Sequence, residues 1–332
     1  MFKILRFFKR TKSRIINPIY YTSETYDFLI KGLPKKKHHL LQPLLQFPKL
    51  LLIQTNSLCN AKCVFCPYGK TSEPLPKHTM DMDLYCKIVD EGAQKGAKRI
   101  APYLMNEPLC DKELIEKIKY LEYLRKKKSL PFKTHINTNA SLLTESLSSE
   151  LIDSGLDLLK VSVNSLRPDV FNEIMYPLKL EKVLKNIDQF IELRNRKGKK
   201  SPFVRNKIVV SPMNREEVPE IIAYWWKRGV KVTISSLNNR SNAEFIATGI
   251  NINKWKKRFF CNQLFDRLCI LANGDVVLCC SDWERKHVLG NVISQSLEEI
   301  WRGDKFNRVR KDYLLNNHKD LLCENCLDYD RN

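Results

Sequence analysis

The chain of 332 residues lacks any stretch near the roughly 18 consecutive apolar residues that a membrane span needs, so no transmembrane helix is expected. It also lacks an apolar h-region followed by a cleavage site. Its eleven cysteines therefore do not suggest a secreted disulfide framework; they suggest metal ligands in a reducing compartment, which points to the cytoplasm. Acids are missing from the N-terminus, where Lys3, Arg6, Lys9, Arg10, Lys12 and Arg14 all precede the first acid, Glu24. The formal net charge is +20, a field that favours anionic partners. No recognition motif and no aromatic–basic interleaving accompanies that charge, so no specific nucleic-acid partner is expected.

One further absence is more specific. Cys59, Cys63 and Cys66 stand in the run Cys59-Asn-Ala-Lys-Cys63-Val-Phe-Cys66, directly after the apolar stretch Leu50–Thr55, and no fourth cysteine follows nearby. A cubane iron–sulfur cluster has four irons, so a loop with three thiolates leaves one iron open to a group that is not protein. Structural zinc is the alternative, but zinc prefers paired CxxC knuckles with all four positions filled.

Short apolar runs alternate with helical patterns through the middle of the chain, which implies parallel strands joined by crossover helices. The strands are expected at 50–55, 99–104, 132–138, 158–163, 204–211 and 230–236. Helices are expected near 81–96, 111–127, 144–154, 180–196 and 215–228, the last ended by Gly229. Six such units make an α/β fold, a partial (βα)6 barrel of TIM type, whose chemistry belongs at the C-terminal ends of the strands.

Those strand ends carry polar groups. The second runs into Tyr103-Leu-Met-Asn106-Glu107-Pro108, the third ends in Asn137-Thr138-Asn139-Ala140 and the fourth in Val161-Ser162-Val163-Asn164. Read locally, these are turn formers and side-chain caps. On a continuing strand Ser162 and Asn164 point the same way. Ser211-Pro-Met213-Asn214 and Ser235-Ser-Leu-Asn238 occupy the fifth and sixth ends.

The CxxxCxxC spacing, with Phe65 just before the third cysteine, resembles the signature of the radical S-adenosylmethionine (radical SAM) superfamily. That resemblance implies that Cys59, Cys63 and Cys66 hold a [4Fe-4S] cluster whose open iron binds S-adenosylmethionine. One electron then splits the sulfonium, and the 5'-deoxyadenosyl radical abstracts a hydrogen atom from substrate. It also implies a reductant such as flavodoxin or ferredoxin. The segment Asn106-Glu107-Pro108 is similar to the family's Gly-Gly-Glu-Pro, with Met105 and Asn106 in place of both glycines. Glu107 is thereby implied to face the cofactor's ammonium group, with Phe65, Asn106, Asn139, Ser162 and Asn164 as further cofactor contacts.

The last quarter holds a second cysteine set. Cys261, Gly274 and Cys279 give CX12GX4C, and Cys323 and Cys326 form a distal CxxC. Asn273-Gly274-Asp275 supplies a hairpin turn that brings the first two cysteines together. Gly290–Val292 and Leu297–Trp301 suggest a strand end and a short helix. The arrangement is similar to the SPASM/Twitch extension of radical SAM enzymes, which implies a second, auxiliary [4Fe-4S] cluster on Cys261, Cys279, Cys323 and Cys326. Cys269 is most simply a buried small hydrophobe. Cys280 either replaces Cys279 as a ligand or donates a hydrogen atom in the pocket, and Asp282 either removes a proton from a substrate radical or is a surface carboxylate. Cys86 and Cys110 receive no role.

The organisation expected is therefore a basic extension over 1–48, a core barrel over 49–250 and an auxiliary cluster domain over 255–332. In the extension, Met1, Ile4, Leu5 and Phe8 share one helical side and Lys3, Arg6 and Arg10 another. The favoured reading is a helix covering the bottom of the barrel; peripheral contact with a membrane surface is the alternative. Three function classes follow: an oxidoreductase or epimerase acting on a polar small molecule such as a sugar, a peptide- or protein-modifying maturase, and an iron–sulfur electron-transfer or binding protein without SAM chemistry. Fold and cofactor do not choose among reactions.

Overall fold

The computed structural model describes residues 47–67, 77–236, 261–324 and 326. The helix expected in the basic N-terminal extension and the sixth strand end expected at Asn238 lie outside the described residues. Six parallel strands, β1 (Leu50–Ile53), β2 (Arg99–Ala101), β3 (Lys133–Thr138), β4 (Leu158–Val161), β5 (Phe203–Val210) and β6 (Lys231–Ser236), stand side by side in chain order. Between them run α1 (Met82–Gln94), α2 (Leu114–Lys128), α3 (Glu145–Asp153), α4 (Pro168–Ile174), α5 (Leu180–Arg196) and α6 (Val218–Lys227). This is the partial α/β barrel that the sequence pattern implies, with one extra short helix, α4, before α5.

Local chemistry accounts for these elements. The four residues of β1, Leu-Leu-Leu-Ile, are all buried, as suits a strand covered on both faces. Asp81 caps α1 by accepting the amide of Leu84 at 2.8 Å, and the helix buries Tyr85, Ile88, Val89, Gly92 and Ala93 along one stripe. Gly92 is required there: a Cβ on it would lie 2.2 Å from Leu51 Cδ1. Helix α5 buries Leu180, Val183, Ile187 and Phe190 at helical spacing. Gly229 follows α6 at φ 68°, the left-handed stop that the sequence suggested.

The remaining strands, β7 (Arg267–Ile270), β8 (Asp275–Val277) and β9 (Val288–Asn291), continue the same sheet on the other side of β1. β7 pairs with β1 in parallel; β8 and β9 follow antiparallel. Two short helices lead into this hairpin and away from it: α7 (Gln263–Asp266) and then α8 (Leu297–Arg302), which opens with a Ser296–Glu299 capping box. α9 (Asp304–Leu314) packs with them against β1 and α1 through Trp301, Phe306 and Tyr313. Among the described residues no helix is long and apolar enough to cross a membrane.

Candidate functional site

The cluster loop leaves β1 at Gln54 and is tied to its neighbours on three sides. Glu107 N–H donates to Leu58 O at 2.9 Å, immediately before Cys59. Asn139 Nδ2 donates to Asn60 Oδ1, and Asn60 Nδ2 to Ser141 Oγ, each at 2.8 Å. On the far side Lys62 N–H donates to Tyr176 O at 2.6 Å and Val64 N–H to Ile174 O at 3.0 Å, at the end of α4. The loop is thereby fixed to the ends of β2 and β3 and to α4.

Cys59, Cys63 and Cys66 are all half-buried, and Phe65 packs with Cys59 and Cys63 against the apolar layer between sheet and helices. Burial pushes the Cys59 thiol up to about 12, and the neighbouring Glu107, Cys66 and Cys110 add to the rise. Cys63 is raised further by burial and then by Cys66 and Cys59. Cys59 and Cys63, buried in an apolar loop, are poor isolated thiolates, and the positive charge of iron is what would make them anionic. Among the described residues no three His, Cys, Asp or Glu side chains converge as the ligands of a single ion would. A cubane takes one cysteine per iron, so its ligands need not converge, and the three thiols fit such a cluster.

Glu107, only 2% exposed, is the brace beneath this loop. Its carboxylate accepts Thr138 Oγ1–H at 2.6 Å, the Asn139 amide at 2.7 Å and the Leu109 amide at 3.1 Å. Burial pushes this carboxyl up to about 7, against the lowering effect of those hydrogen bonds. Asn106 turns its Oδ1 to the Leu104 amide at 2.9 Å and leaves a buried Nδ2 without a partner among the described residues.

The fourth strand end departs from expectation in one respect. β4 stops at Val161, because the Asn206 side chain takes both the amide and the carbonyl of Val163 at 2.9 and 3.0 Å. Ser162 and Asn164 therefore do not share a strand face. Ser162 Oγ accepts Asn137 Nδ2 at 3.4 Å, whereas Asn164 is tied to β5 through the Val209 amide at 2.9 Å and donates to Met175 Sδ at 3.2 Å. Met175 Sδ also lies 3.5 Å from Cys63 Sγ. Met175, Thr138, Asn60 and Ser141 were not singled out from the sequence. Thr138 and Ser141 flank Asn139, and a search of the whole turn for donors would have found them.

In the C-terminal set, the hairpin turns at Gly274, at φ 85°, as the Asn-Gly-Asp signal implies. Cys326 lies close enough to raise the Cys279 thiol, although burial and then Cys280 and Cys269 dominate there. Cys261 and Cys323 pack against the same apolar cluster. Cys326 N–H donates to Cys323 O at 3.4 Å, and His287 Nε2 accepts the adjacent Leu322 amide at 3.1 Å, which ties the CxxC to the hairpin.

Cys280 points elsewhere. It packs with Leu50, Leu52, Ala101 and Cys269 inside the barrel, and its Sγ lies 3.1 Å from Gln263 Oε1. Cys269 is buried in that cluster as a small apolar side chain. Asp282 is 0% exposed and accepts the Lys286 and His287 amides at 2.9 and 3.0 Å, so it is not a surface carboxylate and both its oxygens close a turn.

Comparison with known proteins agrees with this geometry. Residues 53–238, over half of the chain, match the Radical SAM superfamily. The chain belongs to that superfamily. Residues 261–327 of this radical SAM enzyme match SPASM, an iron–sulfur cluster-binding domain. The two domains imply a [4Fe-4S] cluster with S-adenosylmethionine and an auxiliary iron–sulfur centre. A tungsten-containing aldehyde ferredoxin oxidoreductase cofactor-modifying protein of Pyrococcus furiosus is 28% identical over 327 residues, covering 85% of this chain and 89% of that protein. A GTP 3',8-cyclase of Sulfurovum is 29% identical over 200 residues, 58% of this chain and 56% of the cyclase, so the match spans just over half of that relative. Among solved structures, BtrN in complex with AdoMet and 2-DOIA superposes with a TM-score of 0.58 at 21% identity, covering 85% of this chain and 94% of that one. SuiB of Streptococcus suis bound to precursor peptide SuiA gives 0.65 at 16% identity, with 92% and 74% covered. At these identities the two structures share the fold.

Proposed function

We propose that this radical SAM enzyme abstracts a hydrogen atom from a polar small molecule, such as a sugar, and so oxidises or epimerises it. When bound, the cluster and S-adenosylmethionine supply the one-electron cleavage that yields the 5'-deoxyadenosyl radical. Cys59, Cys63 and Cys66 are the residues to hold that cluster, and Cys261, Cys279, Cys323 and Cys326 the auxiliary one. Asn106, Glu107, Asn139 and Ser162, at the mouth beside the cluster loop, are the candidates to orient the cofactor. A flavodoxin or ferredoxin is the proposed electron donor, in the cytoplasm.

The observation that carries the reading is the bracing of the three-cysteine loop to β2 and β3 through Leu58–Glu107 and Asn60–Asn139. It brings the thiols and the polar strand ends to one mouth, where a radical formed at the cluster would meet a substrate held below it. Cys280, packed with Leu50, Leu52 and Cys269, is the residue proposed to donate a hydrogen atom to a substrate radical. Asp282, with both oxygens engaged, is assigned a structural part in this reading. The test is anaerobic incubation of reconstituted protein with S-adenosylmethionine, dithionite and, in separate reactions, deuterated sugars or deuterated peptides, reading deuterium in 5'-deoxyadenosine. Deuterium transfer from a sugar supports the reading, and transfer only from a peptide substrate overturns it.

A further inference from the structure

The inner wall of the sheet is divided chemically. Apart from Arg99 and Arg267, the inward residues around β1, β2 and β7 are apolar: Leu50, Leu52, Ala101, Cys269 and Leu271 pack together. On β3, β4 and β5 the helix-facing positions are Ile136, Leu159, Val161, Val204 and Ile208. Strand alternation then turns His135, Asn137, Lys160, Arg205 and Lys207 inward. Register sets Lys160 at the centre, beside Asn137 on β3 and Arg205 on β5.

Strands β3, β4 and β5 carry no Asp or Glu. Lys160, Arg99 and Arg205 form no ion pair and no side-chain hydrogen bond with any described residue. Burial, then Lys207, Arg99, Arg205 and Arg267, press the Lys160 ammonium down to about 8. Asp157, the acid nearest His135 in effect, is already engaged by Arg125 and Lys133. Like charges gathered in a half-buried space are unfavourable until an opposite charge joins them, and an inward-facing, partly solvated wall admits one.

The wall also lies within reach of the mouth. Ser162, just past the end of β4, follows Lys160 by two residues, about 7 Å of extended backbone. We propose that the inward face of β3–β5, centred on Lys160, receives an anionic group of the substrate, phosphoryl or carboxylate, while the rest of the molecule extends up to the cluster loop. This rests on the barrel mouth being the reaction site, as argued above.

The test titrates full-length, cluster-reconstituted protein by calorimetry with inorganic pyrophosphate and, separately, with succinate, without S-adenosylmethionine or reductant. Saturable binding of either anion is expected, weakened about tenfold or more by Lys160→Met and largely kept by Lys160→Arg. The stronger of the two anions identifies the group. A competing site is the cavity of about 590 Å³ that shares Arg205 with the wall and is otherwise lined by Arg194, Lys199, Lys200, Arg228 and Lys231. No saturable binding to wild type, binding unchanged by Lys160→Met in protein of unaltered iron content and circular dichroism, or binding lost in Lys199→Ser/Lys200→Ser instead, would overturn the proposal. Reductive cleavage of S-adenosylmethionine by wild type is assayed separately, so the anion wall and the underlying reaction can fail independently.

Discussion

The Glu107 carboxylate accepts the Asn139 backbone amide at 2.7 Å, and with that bond the loop after β2 holds the end of β3. The same loop donates to Leu58 before the first cluster cysteine, so one buried acid organises two sides of the mouth.

Replacing Glu107 by Gln exchanges one acceptor oxygen for an amino group, which leaves either the Asn139 amide or the Thr138 hydroxyl facing a donor. An orphaned buried donor costs about 1–3 kcal/mol, so Glu107→Gln is expected to lower unfolding stability by that amount and to weaken S-adenosylmethionine binding about ten- to a hundredfold. Iron content should stay at the wild-type level. Denaturant unfolding with calorimetric titration checks both effects, and a variant with wild-type stability would contradict the bracing role.

His135 gives a pH dependence of stability. Burial, followed by Lys160, Arg99 and Lys207, lowers its pKa from 6.5 to about 3, and its Nε2 lies 3.4 Å from the Tyr103 hydroxyl. The unfolded chain therefore binds a proton below about 6.5 that the folded chain refuses until about 3. The stabilising contribution is fully present above 6.5 and is lost as pH falls through that window, with a slope of at most about 1.4 kcal/mol per pH unit. Anaerobic denaturant unfolding of wild type and His135→Gln between pH 5 and 7.5 should show the slope reduced in the variant. Parallel profiles would contradict a neutral His135.

Lys117 and Asp111 form an ion pair at 2.9 Å with both side chains 0% exposed. Removing one member leaves a buried charge, so Lys117→Met is expected to cost about 3–5 kcal/mol, whereas Lys117→Met/Asp111→Leu recovers much of the loss. A double variant no more stable than Lys117→Met would show that the pair is not the source of the cost.

The auxiliary centre is open to a metal count. Wild-type protein should hold about eight irons and the Cys59/Cys63/Cys66 triple alanine variant about four, with the remaining iron in one cubane by Mössbauer spectroscopy. Residual zinc in place of iron would mean that the C-terminal cysteines hold a structural metal. Loss of one C-terminal ligand should also loosen the hairpin, because thiolate ligation is coupled to folding.

Much of this was legible in the sequence because the signals were periodic. The six strands and α5 follow from apolar runs and helical spacing, and α5 spans Leu180–Arg196 as expected. The short α4 was missed because its three buried residues, Val170, Phe171 and Ile174, make too little of a stripe to register. Ser162 and Asn164 were misaligned because strand alternation was carried past Val161, where a side chain from another strand, Asn206, ends the ladder. No local pattern reveals such a long-range partner. The cationic wall was present as the alternating His135/Asn137, Leu158/Lys160 and Arg205/Lys207, but its meaning depends on knowing which face is inward.

The measurement that bears most directly on the central claim is 5'-deoxyadenosine formation by reconstituted wild-type protein and by the Cys59/Cys63/Cys66 triple alanine variant, under dithionite and S-adenosylmethionine without air. Turnover by wild type and none by the variant, with the C-terminal cluster's absorbance retained in both, is the result this account predicts. Equal 5'-deoxyadenosine from the two proteins would contradict it.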